Sequence, residues 1–208
     1  YVSSIIDNVS GTNCGAEPGA ANSARSQICL TAATASNISI SSGDQIALEV
    51  WTNANNISST SFTGTLYQEG TEFIGNGTTS HVTTSAKSML AINKDLDLYN
   101  PTSTSTVWYL NNTNASSAFG TTGPTTEYSS LGTDGWSSGP ASKTTAKSMN
   151  DQPNTGASSL TFTENSTSAM KVWMGNFLSP PLATQTLPAG TAIRYEGALE
   201  ENGSLADM

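Results

Sequence analysis

Apolar and polar residues alternate along most of the chain after residue 25, in short runs separated by turn-forming residues. The run 45–51, QIALEVW, places Ile46, Leu48 and Val50 on one face. This period of two predicts β-strands, because successive side chains of a strand point to opposite faces of a sheet. Nine runs are predicted to be strands: 27–34, 37–41, 45–51, 61–67, 89–99, 105–110, 159–164, 169–178 and 191–199.

The breaks between these runs contain Gly-bearing pairs such as Ser42-Gly43 and Ala189-Gly190, which suit tight turns. No segment sustains the spacing of an amphipathic helix over a dozen residues, and β-branched residues pervade the chain. The pattern therefore predicts an all-β fold, a β-sandwich of Ig-like or jelly-roll type. The stretch 111–159 is poor in large apolar residues and is predicted to form long loops with at most one hairpin.

The beginning of the chain is organised differently from the rest. YVSSIIDNVS, residues 1–10, is a strand-prone segment, and residues 11–24 are rich in Gly, Ala and Asn with no hydrophobic periodicity. We expect an N-terminal strand (1–10), a linker (11–24) and a β-sandwich head (25–208). The apolar residues of the first segment are Tyr1, Val2, Ile5, Ile6 and Val9.

Charge and composition exclude several partners. Only 11% of residues are charged and the formal net charge is -9, so no basic surface exists to neutralise nucleic-acid phosphates or anionic lipid. No apolar run approaches the roughly 18 residues of a membrane span. Ser and Thr make up about three residues in ten. A chain with so few charged residues forms few ion pairs, so the fold is expected to lose little stability when acid protonates its carboxylates.

Two cysteines, Cys14 and Cys29, have no CxxC spacing and no nearby His that would complete a zinc site. In an extracellular chain they are expected to form a disulfide, with two unpaired thiols as the alternative. Such a bond would contribute roughly 3 kcal/mol through loop closure. Eight N-x-S/T sequons are candidates for N-glycosylation, at Asn8, Asn37, Asn56, Asn76, Asn111, Asn114, Asn165 and Asn202. Together with the start of the sequence they favour a glycoprotein secreted after signal-peptide cleavage.

Catalytic and metal chemistry has little support. The only histidine is His81, and GWSSG (135–139) lacks the helix and the downstream His of a nucleophile elbow. A glycosidase built around Glu49 remains the enzymatic alternative, although its partner carboxylate is not apparent. Lys171 is a candidate for an isopeptide bond with an Asn or Asp. No cofactor is expected apart from N-linked glycans, and we interpret the chain as a non-enzyme.

A strand followed by a linker of about fifteen residues is unusual in one compact domain, where an N-terminal strand normally pairs through a short connection. A sandwich that lacks one strand exposes an open edge, and a strand from the next molecule can fill it. One face of the segment carries Ser3, Ile5 and Asp7 between Tyr1 and Val9. If Asn8 is glycosylated, this face enters the apolar groove at the open edge and brings Asp7 with it, unless the strand has a bulge there.

An apolar first segment, a Cys-bearing linker and a Ser-, Thr- and Asn-rich β head with many sequons together resemble the subunit of the archaeal thread filament, which is similar in architecture to bacterial type I pilins. The resemblance implies identical subunits joined head to tail by donor strands, a glycosylated cell-surface filament that serves adhesion or biofilm formation, and no catalytic residues. The competing interpretation is a secreted carbohydrate-binding or adhesive β-sandwich module, for which Trp51, Trp108, Trp136 and Trp173 are candidate platform residues.

Overall fold

The computed structural model describes residues 25–54, 62–70, 87–98, 104–120, 146–156, 158–164 and 170–201. These residues form an all-β fold, as the sequence pattern predicts. The strands are β1 (Arg25–Ala33), β2 (Ile38–Ile40), β3 (Ala47–Ala54), β4 (Phe62–Glu69), β5 (Met89–Asp97), β6 (Thr104–Asn114), β7 (Lys147–Asn150), β8 (Ser158–Glu164), β9 (Met170–Leu178), β10 (Gln185–Leu187) and β11 (Ala192–Glu201). One short helix, α1 (Ala115–Phe119), follows β6.

Nine strands form one sheet with the order β3-β9-β7-β6-β5-β11-β4-β8, and β1 pairs with β11 beside this path. β11 is long enough to pair with β1 along one side and with β5 and then β4 along the other. All pairs in this sheet are antiparallel except β7 with β9. A separate ribbon pairs β10 with β2. Each of the nine predicted runs overlaps one of these strands.

The prediction of loops for 111–159 is wrong in part. β6 continues to Asn114, and α1 and β7 follow within the stretch. β7 has only four residues, too short for a period to appear in the sequence, yet Met149 at its centre is fully buried. The helix is equally short: Ala115 and Phe119, four residues apart, pack on Leu178, and Gly120 ends it in the left-handed conformation at φ 73°.

A continuous core lies between strands that are distant in the sheet order. β4 packs against β6, and β8 packs against both β6 and β9. Trp108 of β6, Phe177 of β9 and Leu66 of β4 are completely buried in this core. These contacts bring the β4–β8 end of the sheet against β6 and β9, and the apolar side chains between them are buried.

The sequence Lys-Ser-Met occurs twice, at 87–89 and at 147–149, and occupies matching places on the two sides of β6. Met89 of β5 pairs with Tyr109 of β6 on one side, and Met149 of β7 pairs with Leu110 of β6 on the other. The preceding residues, Ser88 and Ser148, are both fully buried. The recurrence therefore coincides with a shared structural environment beside β6.

Candidate strand-acceptor site

β4 and β8 pack on β6 and β9 but leave the neighbouring strand β3 without a strand packed on it, among the described residues. β8 lies against β9, and the strand next to β9 is β3, which forms the end of the sheet order. Within the described residues β3 pairs only with β9, and no strand packs on it as β8 packs on β9. One strand position, beside β8 and over β3, is therefore not filled by any described strand. We call this position the acceptor site.

β3 presents an apolar face to the acceptor site. Leu48 pairs with Phe177 and Val50 pairs with Gly175, so all four residues face the core. Val50 is 6% exposed, whereas Leu48 packs on the core but remains half-buried. The inner face of β3 is thus incompletely covered towards its beginning.

The second wall of the acceptor site is the outer edge of β8, whose only described partner strand is β4. Leu160 pairs with the fully buried Leu66, so its side chain faces the core, yet it remains half-buried. Its Cδ1 lies only 2.8 Å from where a Cβ would stand on Gly175. A larger residue at Gly175 would therefore displace the end of the Leu160 side chain.

A bulge in β9 lies beside the acceptor site. Val50 pairs with Gly175 and the next residue, Trp51, pairs with Trp173, so Met174 has no partner in β3. An extra residue of this kind bends and twists a strand locally. The bulge therefore bends β9 next to Val50, in the strand pair that forms one wall of the acceptor site.

A polar cluster that we call the Glu69 clasp fastens β4 to β6 and to the loop before β8. Oε1 of Glu69 accepts hydrogen bonds from the backbone N–H of Asn112 and from Nδ2 of Asn154, both at 2.9 Å. Nε2 of Gln68 donates to Oδ1 of Asn112 and to Oγ of Ser158, both at 3.0 Å. Glu69 is only 8% exposed, whereas its partners Asn112 and Asn154 lie at exposed positions, so the bonds connect a buried carboxylate with the surface. The sequence gives no periodic signal for this cluster, because its members lie in four separate segments.

The chain enters the described fold at the end of the sheet where β8 ends. Arg25 pairs with Glu200, Glu201 pairs with Gly64, and Phe62 pairs with Glu164. Residues 1–24 precede Arg25 and lie outside the described residues, as do all five apolar residues of the expected N-terminal strand. That strand and its placement therefore stay predictions.

The cysteine prediction also stays a prediction. Cys29 lies at the middle of β1, opposite Glu196 on β11. Cys14 lies outside the described residues, so the expected bond between them is not tested.

Three of the eight sequon asparagines lie in the described fold. Asn37 is exposed, and its Oδ1 accepts a hydrogen bond from the N–H of Ala189 at 2.8 Å. Asn111 is 3% exposed, and Asn114 is half-buried with its Oδ1 held by Nζ of Lys147 at 3.0 Å. Asn37 is thus the most accessible of the three. Asn8, Asn56, Asn76, Asn165 and Asn202 lie outside the described residues.

The alternative candidates are dispersed. Glu49 is half-buried on β3, opposite Asn176 of β9. Trp108 is fully buried in the core, so it does not contribute to a sugar-binding platform. Trp51 and Trp173 pair with each other across β3 and β9. His81, Trp136 and GWSSG lie outside the described residues, and Lys171 lies in β9 opposite Asn53.

In the part of the chain that the structure describes, no three His, Cys, Asp or Glu side chains come together as a metal site would require. The same residues contain no helix that is long and apolar enough to span a membrane. No family model, no curated protein and no solved structure matches the chain.

Proposed function

We propose that the chain is the structural subunit of a glycosylated extracellular filament, assembled head to tail. In this proposal residues 1–10 of one copy add as a strand to the free edge of β8 in the next copy, over β3. The inserted strand completes a β-sandwich whose layers are otherwise uneven. The role corresponds to the archaeal thread that the sequence resembles, serves adhesion or biofilm formation at the cell surface, and requires no catalytic residue.

The observation that carries the proposal is the acceptor site itself. It combines a strand edge that has one described partner with two half-buried core leucines, Leu48 and Leu160. An exposed edge of this kind favours pairing with a further strand. An inserted strand with an apolar face would cover Leu48 and Leu160 and pair with β8 through its backbone.

The magnitudes are sufficient for a stable polymer. Of the apolar residues Tyr1, Val2, Ile5, Ile6 and Val9, one face of the strand carries Tyr1, Ile5 and Val9, and burial of these three contributes at most roughly 4.5 to 9 kcal/mol. Each backbone hydrogen bond to β8 adds about 0.5 to 1.5 kcal/mol. Such a sum holds subunits together without covalent links.

The expected disulfide limits how far residues 1–10 can reach within their own chain. With Cys14 bonded to Cys29 on β1, five residue steps lead back to Val9 and span at most about 17 Å, and the bond adds about 5.5 Å between the two Cα atoms. β1 and β8 are three strand spacings apart in the sheet, and the acceptor site is a fourth, about 19 Å in all. Self-insertion therefore requires a nearly fully extended tether, whereas insertion into another copy carries no such constraint. Donor and acceptor then lie on different surfaces, and such a heterologous contact propagates into an open filament.

Deletion of residues 1–10 tests the proposal. The variant is expected to remain folded, by circular dichroism, and to be monomeric by analytical ultracentrifugation, whereas the full chain forms filaments visible by negative-stain microscopy. A synthetic peptide of residues 1–10 should bind the variant and raise its melting temperature, because a ligand of the native state alone stabilises it. The matched control peptide carries Ile5→Asp and Ile6→Asp and should not. Filaments formed by the deletion variant would falsify the proposal.

A further inference from the structure

A recess of about 480 Å³ opens between the end of β5, β6, the β7–β8 loop and the segment that follows β9. It takes no part in the acceptor site. We propose that this recess binds a neutral saccharide residue. Its volume lies within the roughly 300 to 1,000 Å³ that is usual for small-molecule sites.

The chemistry of its described walls determines the ligand class. Four amide side chains, among them Asn150 and Gln152, line it together with the carboxylate of Asp151. Each amide both donates and accepts hydrogen bonds, and a carboxylate accepts several, which matches the vicinal hydroxyls of a sugar. Leu98 and Pro180 add apolar surface for the C–H faces of the ring.

Charge disfavours other ligands. No Lys or Arg is among the described residues that line the recess, and the chain carries a formal net charge of -9, so an anion would be repelled. A cation would meet only one carboxylate, Asp151, and no metal-binding group of three acidic or His side chains occurs in the described fold. A neutral polyhydroxyl compound is the class that remains.

Two of the polar side chains of the recess, those of Asn154 and Asn111, are held in place before any ligand arrives, whereas Asp151 and Gln152 lie at exposed positions beside them. Nδ2 of Asn154 donates to Glu69 at 2.9 Å, and its Oδ1 accepts a hydrogen bond from the N–H of Gly156 at 3.3 Å. Oδ1 of Asn111, itself 3% exposed, accepts a hydrogen bond from the N–H of Thr113 at 2.8 Å. Side chains that are already ordered lose less conformational entropy when a ligand binds, so affinity per contact is higher.

The opposite wall is anchored as well. Leu98 forms an antiparallel bridge with Leu182, and the N–H of Ala183 donates to the carbonyl of Asp97 at 2.9 Å. These contacts fix the segment that carries Pro180 against the end of β5. Residues from four parts of the sequence therefore converge on a formed recess, rather than on a single exposed loop.

Binding is tested on the full chain carrying Ile5→Asp, which the strand-insertion proposal expects to be monomeric, so the readout does not depend on polymerisation. Neutral and acidic monosaccharides are titrated by saturation-transfer NMR and calorimetry. Neutral sugars are expected to bind and acidic sugars not to bind. Asp151→Asn should raise Kd about tenfold through loss of a charge-assisted hydrogen bond. The control Asp95→Asn removes one charge from an exposed residue of β5 outside the recess and should leave Kd unchanged.

The saccharide has two sources, a free sugar or a glycan carried by another copy of the chain. Glycosylated and enzymatically deglycosylated copies, offered as ligands to the Ile5→Asp protein, separate them. Binding of the glycosylated copies alone assigns the recess to contacts between subunits, and binding of free monosaccharides assigns it to environmental sugars. Either result supports the proposal, provided that Asp151→Asn weakens the binding observed. Absence of binding in both arms, or binding that Asp151→Asn and Asp95→Asn affect equally, overturns the proposal.

Discussion

Glu69 is a buried carboxylate whose partners are neutral hydrogen-bond donors. Its Oε1 accepts from Asn112 and Asn154, and these bonds connect β4 with β6 and with the loop before β8. A buried carboxylate that loses a donor keeps its desolvation cost without compensation. The residues around Glu69 therefore govern how firmly β8 is placed.

The first prediction concerns this clasp. Asn154→Ala removes the donor at 2.9 Å from Glu69 and should lower the free energy of unfolding by about 1 to 2 kcal/mol, measured by urea denaturation. Thr155→Ala, at the exposed neighbouring position, is the matched control and should stay within about 0.5 kcal/mol of the unmodified protein. Equal effects of the two substitutions would contradict the assigned role of Glu69.

The second prediction concerns Tyr195 of β11. Burial of its phenol raises its pKa well above the usual value, and the neighbouring Ser88 hydroxyl offsets a smaller part of this shift. Above pH 10 the unfolded chain loses this proton while the folded chain retains it, so stability falls as pH rises. The contribution of Tyr195 is about 1.4 kcal/mol per pH unit.

Tyr195→Phe should remove that slope between pH 10 and 12 in urea-denaturation series. At pH 7 the substitution should cost little, because the hydroxyl is buried and has no well-formed hydrogen bond within the described residues. An unchanged slope in the variant would show that Tyr195 ionises in the folded protein as it does in the unfolded chain.

At the scale of elements, β3 and β8 define the acceptor site. The register of the incoming strand decides which of its two faces turns towards the core. Tyr1, Ile5 and Val9 share one face of residues 1–10, and Val2 and Ile6 share the other. Because a strand alternates faces, only one of these sets can cover Leu48 and Leu160. If Asn8 is glycosylated, the face that carries it points to solvent, and Tyr1, Ile5 and Val9 enter the groove.

The third prediction separates the two faces. Ile5→Asp should abolish filament formation, since it places a second carboxylate beside Asp7 on the inward face. Ile6→Asp should weaken assembly far less, because its side chain points outward with Asn8. Filament length and the critical concentration for assembly, measured by light scattering and microscopy, distinguish them. Greater loss from Ile6→Asp would place the opposite face in the groove.

The sequence pattern predicts the strands well where they are long and face the core on one side. β3 and β5 carry alternating apolar positions, such as Leu48 and Val50 or Leu90 and Ile92, and are visible as a period of two. β7 and β10 have four and three residues and give no period, so the pattern does not predict them. The strand order, the Glu69 clasp and the recess depend on contacts between distant segments. Such contacts leave no local signal in a single sequence.

At the scale of the whole molecule, ion pairs have a small role in stability. The described pair of Arg194 with Glu196, at 2.7 Å, joins an arginine side chain that is 48% exposed to a glutamate side chain that is 10% exposed. The exposed partner screens the pair, so its contribution is expected to be about 1 kcal/mol. With 11% of residues charged, hydrophobic burial and neutral hydrogen bonds are expected to supply most of the stability.

The fourth prediction follows from that balance. The free energy of unfolding of the full chain should change by less than about 2 kcal/mol between pH 7 and pH 3, measured by urea denaturation at each pH. A steep decrease over this range would contradict acid tolerance. Protonation of Glu69 or Glu196, the two buried carboxylates of the described fold, would then be the first cause to test.

The most direct test of the filament model is a cryo-EM reconstruction of the assembled full-length protein. The model predicts one additional strand hydrogen-bonded to the edge of β8 and lying over β3, formed by residues 1–10 of the adjacent subunit, with Ile5 directed towards Leu48 and Leu160. Density in which this position is filled by residues of the same chain, or in which subunits associate without a strand at β8, would contradict the model.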